Sequence, residues 1–159
     1  MKDNEQSRGE PIVFGTAGVP HSSPRPDSAS GVAHIRTLGL DCMELAFVRS
    51  VRMGQAAAAA VKKVAAEQRV ALSVHAPYYI NLNSAESDKV LASRERILSA
   101  ARVGWLCGAT DIVFHPAYYH DDPPEVVYER VKGHLVELVG QLRGEGVEWA
   151  LSAADPSPA

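Results

Sequence analysis

The chain of 159 residues has little cysteine and no long apolar run. Its two cysteines, Cys42 and Cys107, show no CxxC spacing and lie in apolar segments, which favours buried free thiols in a reducing compartment over a disulfide. No apolar run approaches the roughly 20 residues of a membrane span, and the polar start has no apolar core of a secretion signal. The expectation is therefore a cytoplasmic protein without a membrane partner.

The sequence also has no excess of positive charge and no phosphate-binding glycine motif. Its formal net charge is -3, which argues against a protein that coats nucleic acid through bulk positive charge but leaves room for a local basic patch. Neither a GxGxxG pattern nor a P-loop follows any predicted strand. A nucleotide-binding sheet consequently has no positive support.

Short apolar runs alternate with helical patterns along most of the chain. The predicted strands are Ile12–Phe14, Cys42–Val48, Val70–His75, Asp111–Phe114 and Val147–Leu151. The predicted helices are Ser28–Leu38, Gly54–Gln68, Asp88–Cys107 and one that begins at Pro123 behind an Asp122 cap. Most of the strands show no clean two-residue alternation, as expected for a parallel sheet that is buried on both faces.

Two architectures fit this order of elements. A doubly wound open sheet suits the length, whereas a barrel suits the polar residues that recur at predicted strand ends. We favour an α/β fold that forms a partial (β/α)8 TIM barrel of about four and a half βα units. Residues 1–10 are then a flexible tail, residues 11–151 the N-terminal portion of the barrel, and residues 152–159 an irregular tail.

The predicted fifth strand is followed by residues rich in Ser, Ala and Pro rather than by a helical pattern. A barrel of this extent has an exposed edge and an uncovered apolar face. We therefore expect a chain that is cut short, for which a frameshift near Leu151 is one hypothesis. Such an edge makes self-association physically plausible.

Two histidines close consecutive predicted strands in similar sequence contexts. His75 precedes Ala-Pro-Tyr-Tyr, and His115 precedes Pro-Ala-Tyr-Tyr. Neighbouring parallel strands lie about 4.8 Å apart, and barrel active sites lie at the carboxyl ends of the strands. Because neutral imidazole is a common zinc ligand, the pair predicts a metal site, whereas a lone strand-end histidine is more often a structural residue.

Five further residues are candidates for substrate binding, each with a structural alternative. Glu44 lies within an apolar strand and is either an inner-barrel ligand or the ion-pair partner of Arg49 or Arg52. The two arginines follow that strand and either contact phosphate or are solvated. Tyr78 either stacks on a base or sugar or packs the loops, and Asn81 either binds substrate or holds a turn.

The residues around these positions resemble the endonuclease IV family of abasic-site endonucleases. The resemblance covers about residues 11–151 and is carried by residues 14–20, 39–49, 75–82 and 114–116. The most specific part is the string His75-Ala-Pro-Tyr-Tyr-Ile-Asn-Leu. It implies a (β/α)8 barrel with zinc ions at its mouth that cleaves DNA 5′ to an abasic site, with His75 and His115 as two ligands of one zinc.

One departure from the family pattern concerns the next metal ligand, a glutamate at the end of the fifth strand. Glu148 lies too early in the predicted strand to replace it, and Asp155 lies in the Pro-rich tail. We therefore expect this chain to be inactive by itself. Two alternatives stay open, namely a sugar-phosphate isomerase or epimerase of related fold, and a non-catalytic half-barrel that self-associates.

Overall fold

Strands and helices alternate strictly in the computed structural model, which describes residues 12–147 and 150–153. The strands are β1 (Gly15–Ala17), β2 (Cys42–Ala46), β3 (Ala71–His75), β4 (Asp111–Phe114) and β5 (Ala150–Ala153). The helices are α1 (Ser28–Thr37), α2 (Gln55–Gln68), α3 (Ser87–Cys107) and α4 (Pro124–Gly144). The predicted order of elements is confirmed.

All five strands form one parallel sheet in the order β1-β2-β3-β4-β5. Each strand pairs with its neighbour in sequence, so the chain winds in one direction, as in a (β/α)8 barrel. A doubly wound sheet would reverse its strand order at a switch point, and this alternative is therefore excluded. The fold is a partial TIM barrel with β1 and β5 at its two edges, while self-association through them stays a prediction.

The core lies between the sheet and the helices. In β3 and β4 the buried residues alternate with half-buried or exposed ones, so that Leu72, Val74, Ile112 and Phe114 are at most 4% exposed. The predicted burial of both sheet faces is thus not observed for these strands, because their inner face is not covered within the described residues. Both cysteines are free, with Cys107 buried and Cys42 half-buried.

The first strand was predicted too early in the chain. Ile12, Val13 and Phe14 are largely exposed, and pairing with β2 begins instead at Gly15, opposite Cys42. A Cβ atom at Gly15 would lie 1.9 Å from the Cys42 carbonyl oxygen, so only glycine permits this close approach. Backbone proximity, rather than hydrophobicity, decides where β1 lies.

Two further boundaries also need correction. The helix α4 begins at Pro124 with Pro123 as its N-cap, and Asp122 makes no cap hydrogen bond. β5 begins at Ala150, whereas Val147 is buried and its N–H donates to the Leu142 carbonyl at the end of α4. Since β5 continues to Ala153, the predicted irregular tail begins too early, and its remainder, like residues 1–10, lies outside the described residues.

No helix in residues 12–147 and 150–153 is both long and apolar enough to cross a membrane.

Candidate metal centre

Two histidines lie side by side at the carboxyl ends of neighbouring strands. His75 is the last residue of β3, and His115 directly follows β4. Because His75 pairs with Val113, His115 lies two residues further along on the same face of the sheet. The ring centroids are 5.5 Å apart, and the planes are inclined by 46°. The predicted proximity is present, whereas the role of the pair as metal ligands stays a prediction.

The two imidazoles differ in their hydrogen bonds. Nδ1 of His75 donates to the Ala76 carbonyl oxygen at 2.8 Å, which leaves a lone pair on Nε2 of the neutral ring. A carbonyl that orients the second ring nitrogen is the usual companion of a metal-binding histidine. Nδ1 of His115 is buried and has no hydrogen-bond partner among the described residues. Burial of such an atom costs about 1–3 kcal/mol, a cost that cation binding by this ring would offset.

The spacing of the two rings suits a shared metal ion. Imidazoles on one tetrahedral zinc ion have centroids about 5 Å apart, since each Zn–N bond is about 2.0–2.1 Å long. The observed separation of 5.5 Å is close to this distance. Within the described part of the chain, no group of three or more His, Cys, Asp or Glu side chains is suited to hold a metal. The pair therefore fits as two members of a larger ligand set, not as a closed structural site.

An exposed tyrosine lies against both histidines. The Tyr78 ring centroid is 5.3 Å from that of His75 and 6.2 Å from that of His115, with a nearly stacked orientation toward the second. Its side chain is 52% exposed, and its backbone N–H donates to the Val48 carbonyl at 3.3 Å. The ring is thus anchored through its backbone and presents an open aromatic surface beside the histidine pair.

Glu44 lies deeper on the same inner face of the sheet. It is half-buried in β2 and pairs with Ser73, two residues before the Ala46–His75 pair. That offset places it about 6.6 Å below His75 along the strand direction. Within residues 12–147, Glu44 forms no salt bridge with Arg49, with Arg52 or with any other arginine. The ion-pair alternative is wrong, and a role as an inner-barrel ligand stays a prediction.

The two candidate arginines lie in different surroundings. Nε of Arg52 donates to Oγ of Ser50 at 3.1 Å, and the side chain lines a cavity of about 420 Å³ together with Asp27. Arg49 lines a separate cavity of about 230 Å³ together with Arg96. Both candidates are exposed. The two arginines line different cavities, and contact of either with phosphate stays a prediction.

The side chain of Asn81 is engaged in holding two loops together. Its Oδ1 accepts hydrogen bonds from the backbone N–H groups of Asn83 at 3.0 Å and Tyr118 at 3.4 Å. Its Nδ2 lies 3.3 Å from Nε2 of His120, and its backbone N–H donates to Ser93 Oγ at 2.9 Å. These contacts favour the structural interpretation of Asn81, and substrate binding by it stays a prediction.

A second asparagine continues this network and was missed in the sequence. Asn83 is 3% exposed, and its Nδ2 donates to the Tyr118 carbonyl at 3.0 Å and to Asp122 Oδ2 at 3.2 Å. Arg130 donates to Asn83 Oδ1 and, at 2.9 Å, to Asp122 Oδ2. The hydrogen bonds from Arg130 and Asn83 lower the pKa of Asp122. We call Asn81, Asn83, Asp122 and Arg130 the loop clamp; its only signal in the sequence is the Asn-Leu-Asn string.

Comparison with known proteins gives a family match over most of the chain. The model of a family described as xylose isomerase-like TIM barrel matches residues 32–156. An uncharacterized protein of Methanocaldococcus jannaschii is 40% identical over 131 residues, which are 82% of this chain and 46% of that protein. The chain therefore spans about half the length of the curated relative that it matches.

Solved structures of an endonuclease and of an epimerase-like protein share the fold. Endonuclease IV from Thermus thermophilus superposes with a TM-score of 0.62 at 23% identity, over 79% of this chain and 46% of that one. A D-tagatose 3-epimerase-like protein gives a TM-score of 0.61 at 18% identity, over 85% and 51% of the respective chains. At these identities the likeness concerns the fold alone.

Proposed function

The chain belongs to the xylose isomerase-like TIM barrel family, and from this premise we propose that the protein is a zinc-dependent phosphodiesterase acting on abasic sites in DNA. The observation that carries the proposal is the pair of imidazoles, His75 and His115, 5.5 Å apart at the carboxyl ends of adjacent strands. The resemblance of residues 75–82 to endonuclease IV supports DNA as the substrate. Because the matched relative is about twice as long, the activity is proposed for the whole protein.

His75 and His115 are the proposed zinc ligands. The hydrogen bond from Nδ1 of His75 to the Ala76 carbonyl places a ring proton on Nδ1, so Nε2 is the nitrogen left to bind the metal. When bound, the zinc ion supplies Lewis acidity toward a phosphate oxygen. The described residues offer this pair no third ligand of the usual kinds. We therefore expect the chain by itself to bind zinc weakly and to leave DNA uncut.

The proposed contacts to DNA come from groups around the pair. Tyr78 is exposed and lies against both imidazoles, so its ring is available to stack on a base or sugar beside the phosphate. Arg49 and Arg52 are exposed after β2 and would contact neighbouring phosphates at separate places. Asn81, whose side chain holds the loops, has at most an indirect part.

Binding of zinc and abasic DNA tests this proposal directly. Fluorescence anisotropy would compare an intact duplex with one that carries a single tetrahydrofuran abasic-site analogue, with zinc and in EDTA. We expect a preference for the abasic duplex that requires zinc and is lost in His75→Ala and His115→Ala. His134→Ala is the matched control, because His134 lies on α4 in contact with Arg94 rather than with the pair. Equal binding of both duplexes with and without zinc would contradict the proposal.

A sugar-phosphate isomerase or epimerase is the second candidate. It is supported by the structural likeness to the D-tagatose 3-epimerase-like protein and by the half-buried Glu44 carboxylate on the inner face. Such enzymes usually hold a divalent ion with carboxylates. Calorimetric titration of the chain with D-tagatose and its 6-phosphate, with Mn²⁺ present, separates the two candidates. Sugar binding that is lost in Glu44→Gln, together with no preference for abasic DNA, would favour the second.

A further inference from the structure

We propose that the loop clamp is a positioning device which sets the separation of the two histidine rings. Its residues join the loop after β3, which begins beyond His75, to the loop after β4, which begins with His115. The metal-binding consequence rests on the proposed function, whereas the effect on ring geometry holds without any metal. The clamp residues do not themselves touch either imidazole within the described contacts.

The sheet alone does not fix the place of His115 relative to His75. Pairing between β3 and β4 ends with His75 opposite Val113, and the last bond of that region runs from the Ala76 N–H to the Val113 carbonyl at 2.9 Å. On the other side of β4, Phe114 pairs with Ala153 of β5, and His115 follows at the start of the loop, beyond the last pairing with either neighbour. Its ring position relative to β3 therefore depends on how the two loops are held together.

The clamp joins the two loops through the backbone N–H and the backbone carbonyl of Tyr118. The Tyr118 N–H donates to Asn81 Oδ1 at 3.4 Å, and the Tyr118 carbonyl accepts from Asn83 Nδ2 at 3.0 Å. The Leu82 N–H also donates to the Pro116 carbonyl at 2.8 Å, one residue after His115. Three hydrogen bonds thus attach residues 116–118 to the loop after β3.

Arg130 closes the clamp from the side of α4. It donates to Asn83 Oδ1 and to Asp122 Oδ2, while Asn83 Nδ2 donates to the same Asp122 oxygen. The amide of Asn83 is consequently bonded at both its oxygen and its nitrogen although the residue is 3% exposed. The side chain of Arg130 is 42% exposed. Its removal therefore loosens the clamp without opening the hydrophobic core.

The clamp also holds a residue in an unfavourable backbone conformation. His120 has a φ of 50°, in the left-handed region that non-glycine residues rarely adopt. It lies in the β4 loop between Tyr118, which the clamp binds, and Asp122, which belongs to the clamp, and its Nε2 contacts Asn81 Nδ2. A strained conformation persists where the surrounding contacts determine it. Loosening of the clamp would let this loop relax and would move His115 with it.

Arg130→Ala tests the inference, with Arg102→Ala as the matched control. Arg102 also forms a salt bridge that reaches the end of α4, since its Nε and Nη2 each bond Glu145 at 2.7 Å, and it is similarly exposed at 38%. The first measurement, on the metal-free full chain, is the set of nuclear Overhauser effects among the rings of His75, His115 and Tyr78. The second is the dissociation constant for zinc alone.

We expect Arg130→Ala to weaken the ring-to-ring effects at least twofold and to raise the zinc Kd about tenfold, no more than the lower end of what loss of a group bonded directly to a metal ligand costs. Arg130→Lys, which keeps a donor, should recover part of both. Arg102→Ala should leave both within twofold of the original chain. If Arg130→Ala behaves like Arg102→Ala in the ring-to-ring effects, the inference is wrong. If the original chain binds no zinc but Arg130→Ala still weakens those effects, the positioning role stands, and zinc binding by the pair, on which the proposed function rests, fails.

Discussion

Replacement of each histidine by leucine should change the stability of the metal-free protein in opposite directions. Nδ1 of His115 is buried without a hydrogen-bond partner among the described residues, whereas Nδ1 of His75 donates to the Ala76 carbonyl at 2.8 Å. His115→Leu therefore removes an unsatisfied polar atom, and His75→Leu removes a hydrogen bond. The two substitutions are the same in chemistry and lie at neighbouring strand ends, so each is the control for the other.

The magnitudes follow from the hydrogen bonds. An unsatisfied buried polar atom costs about 1–3 kcal/mol, and part of this gain is lost because leucine gives up the ring contacts with His75 and Tyr78. We expect His115→Leu to raise the free energy of unfolding by about 1 kcal/mol and His75→Leu to lower it by about 1 kcal/mol. At about 2–4 °C per kcal/mol for a chain of this size, the two melting temperatures should differ by roughly 4–8 °C.

Urea unfolding in EDTA, followed by circular dichroism, measures both free energies. In the same measurements, zinc at about 100 times its Kd should stabilise the original chain by about 2.7 kcal/mol. It should stabilise neither variant. If His115→Leu lowers the free energy of unfolding as much as His75→Leu does, with unchanged m-values, Nδ1 of His115 has a partner and the reasoning is refuted. A zinc-induced stabilisation that survives in both variants would refute the shared site.

Three further predictions concern stability and reactivity. Gly15→Ala should lower the free energy of unfolding by about 3 kcal/mol, because its Cβ would lie 1.9 Å from a carbonyl oxygen of β2. Gly133→Ala is the control; it lies in α4 with open space around it and should raise the free energy of unfolding by about 0.5–1 kcal/mol. The midpoints of urea unfolding measure both changes. The Arg102 hydrogen bond lowers the pKa of Glu145 from 4.5 to about 2. Its stabilising effect is present above pH 4.5 and is lost as the pH falls toward 2, so the difference in melting temperature between the original chain and Glu145→Gln should vanish over that range. Burial raises the pKa of Cys107 to about 11, and mass spectrometry should find its thiol unmodified by iodoacetamide at pH 8 until urea unfolds the chain.

Element order and most boundaries could be predicted because their signals are local. β4 was predicted with its observed bounds, Asp111–Phe114, and α3 was displaced by one residue at its start. Gly108, with a φ of 78°, ends α3 in a left-handed cap that other residues adopt with strain. Glycines that end helices and apolar runs that form strands are defined by residues adjacent in sequence, so both can be recognised from one sequence.

The first strand and the α4 cap could not be predicted because partners distant in sequence decide them. Hydrophobicity selects residues 12–14, but the close approach of the Cys42 carbonyl selects Gly15. Asp122 has the chemistry of a helix cap, yet its carboxylate accepts from Asn83, 39 residues away in the chain, and from Arg130. Local capping propensity is worth about 1 kcal/mol, and two hydrogen bonds to a carboxylate outweigh it.

The candidate site could be predicted in part because it depends on the two-residue period of the strands. Val74 and Phe114 are fully buried against the helices, whereas His75 and His115, each one residue later, lie on the opposite face. A shift of either histidine by one residue would place its imidazole in the core, where a polar ring needs a hydrogen-bond partner. Strand-end position and period together bring both rings to the inner face. The loop clamp adds their final separation, and beyond the Asn-Leu-Asn string no local pattern in the sequence indicates its contacts.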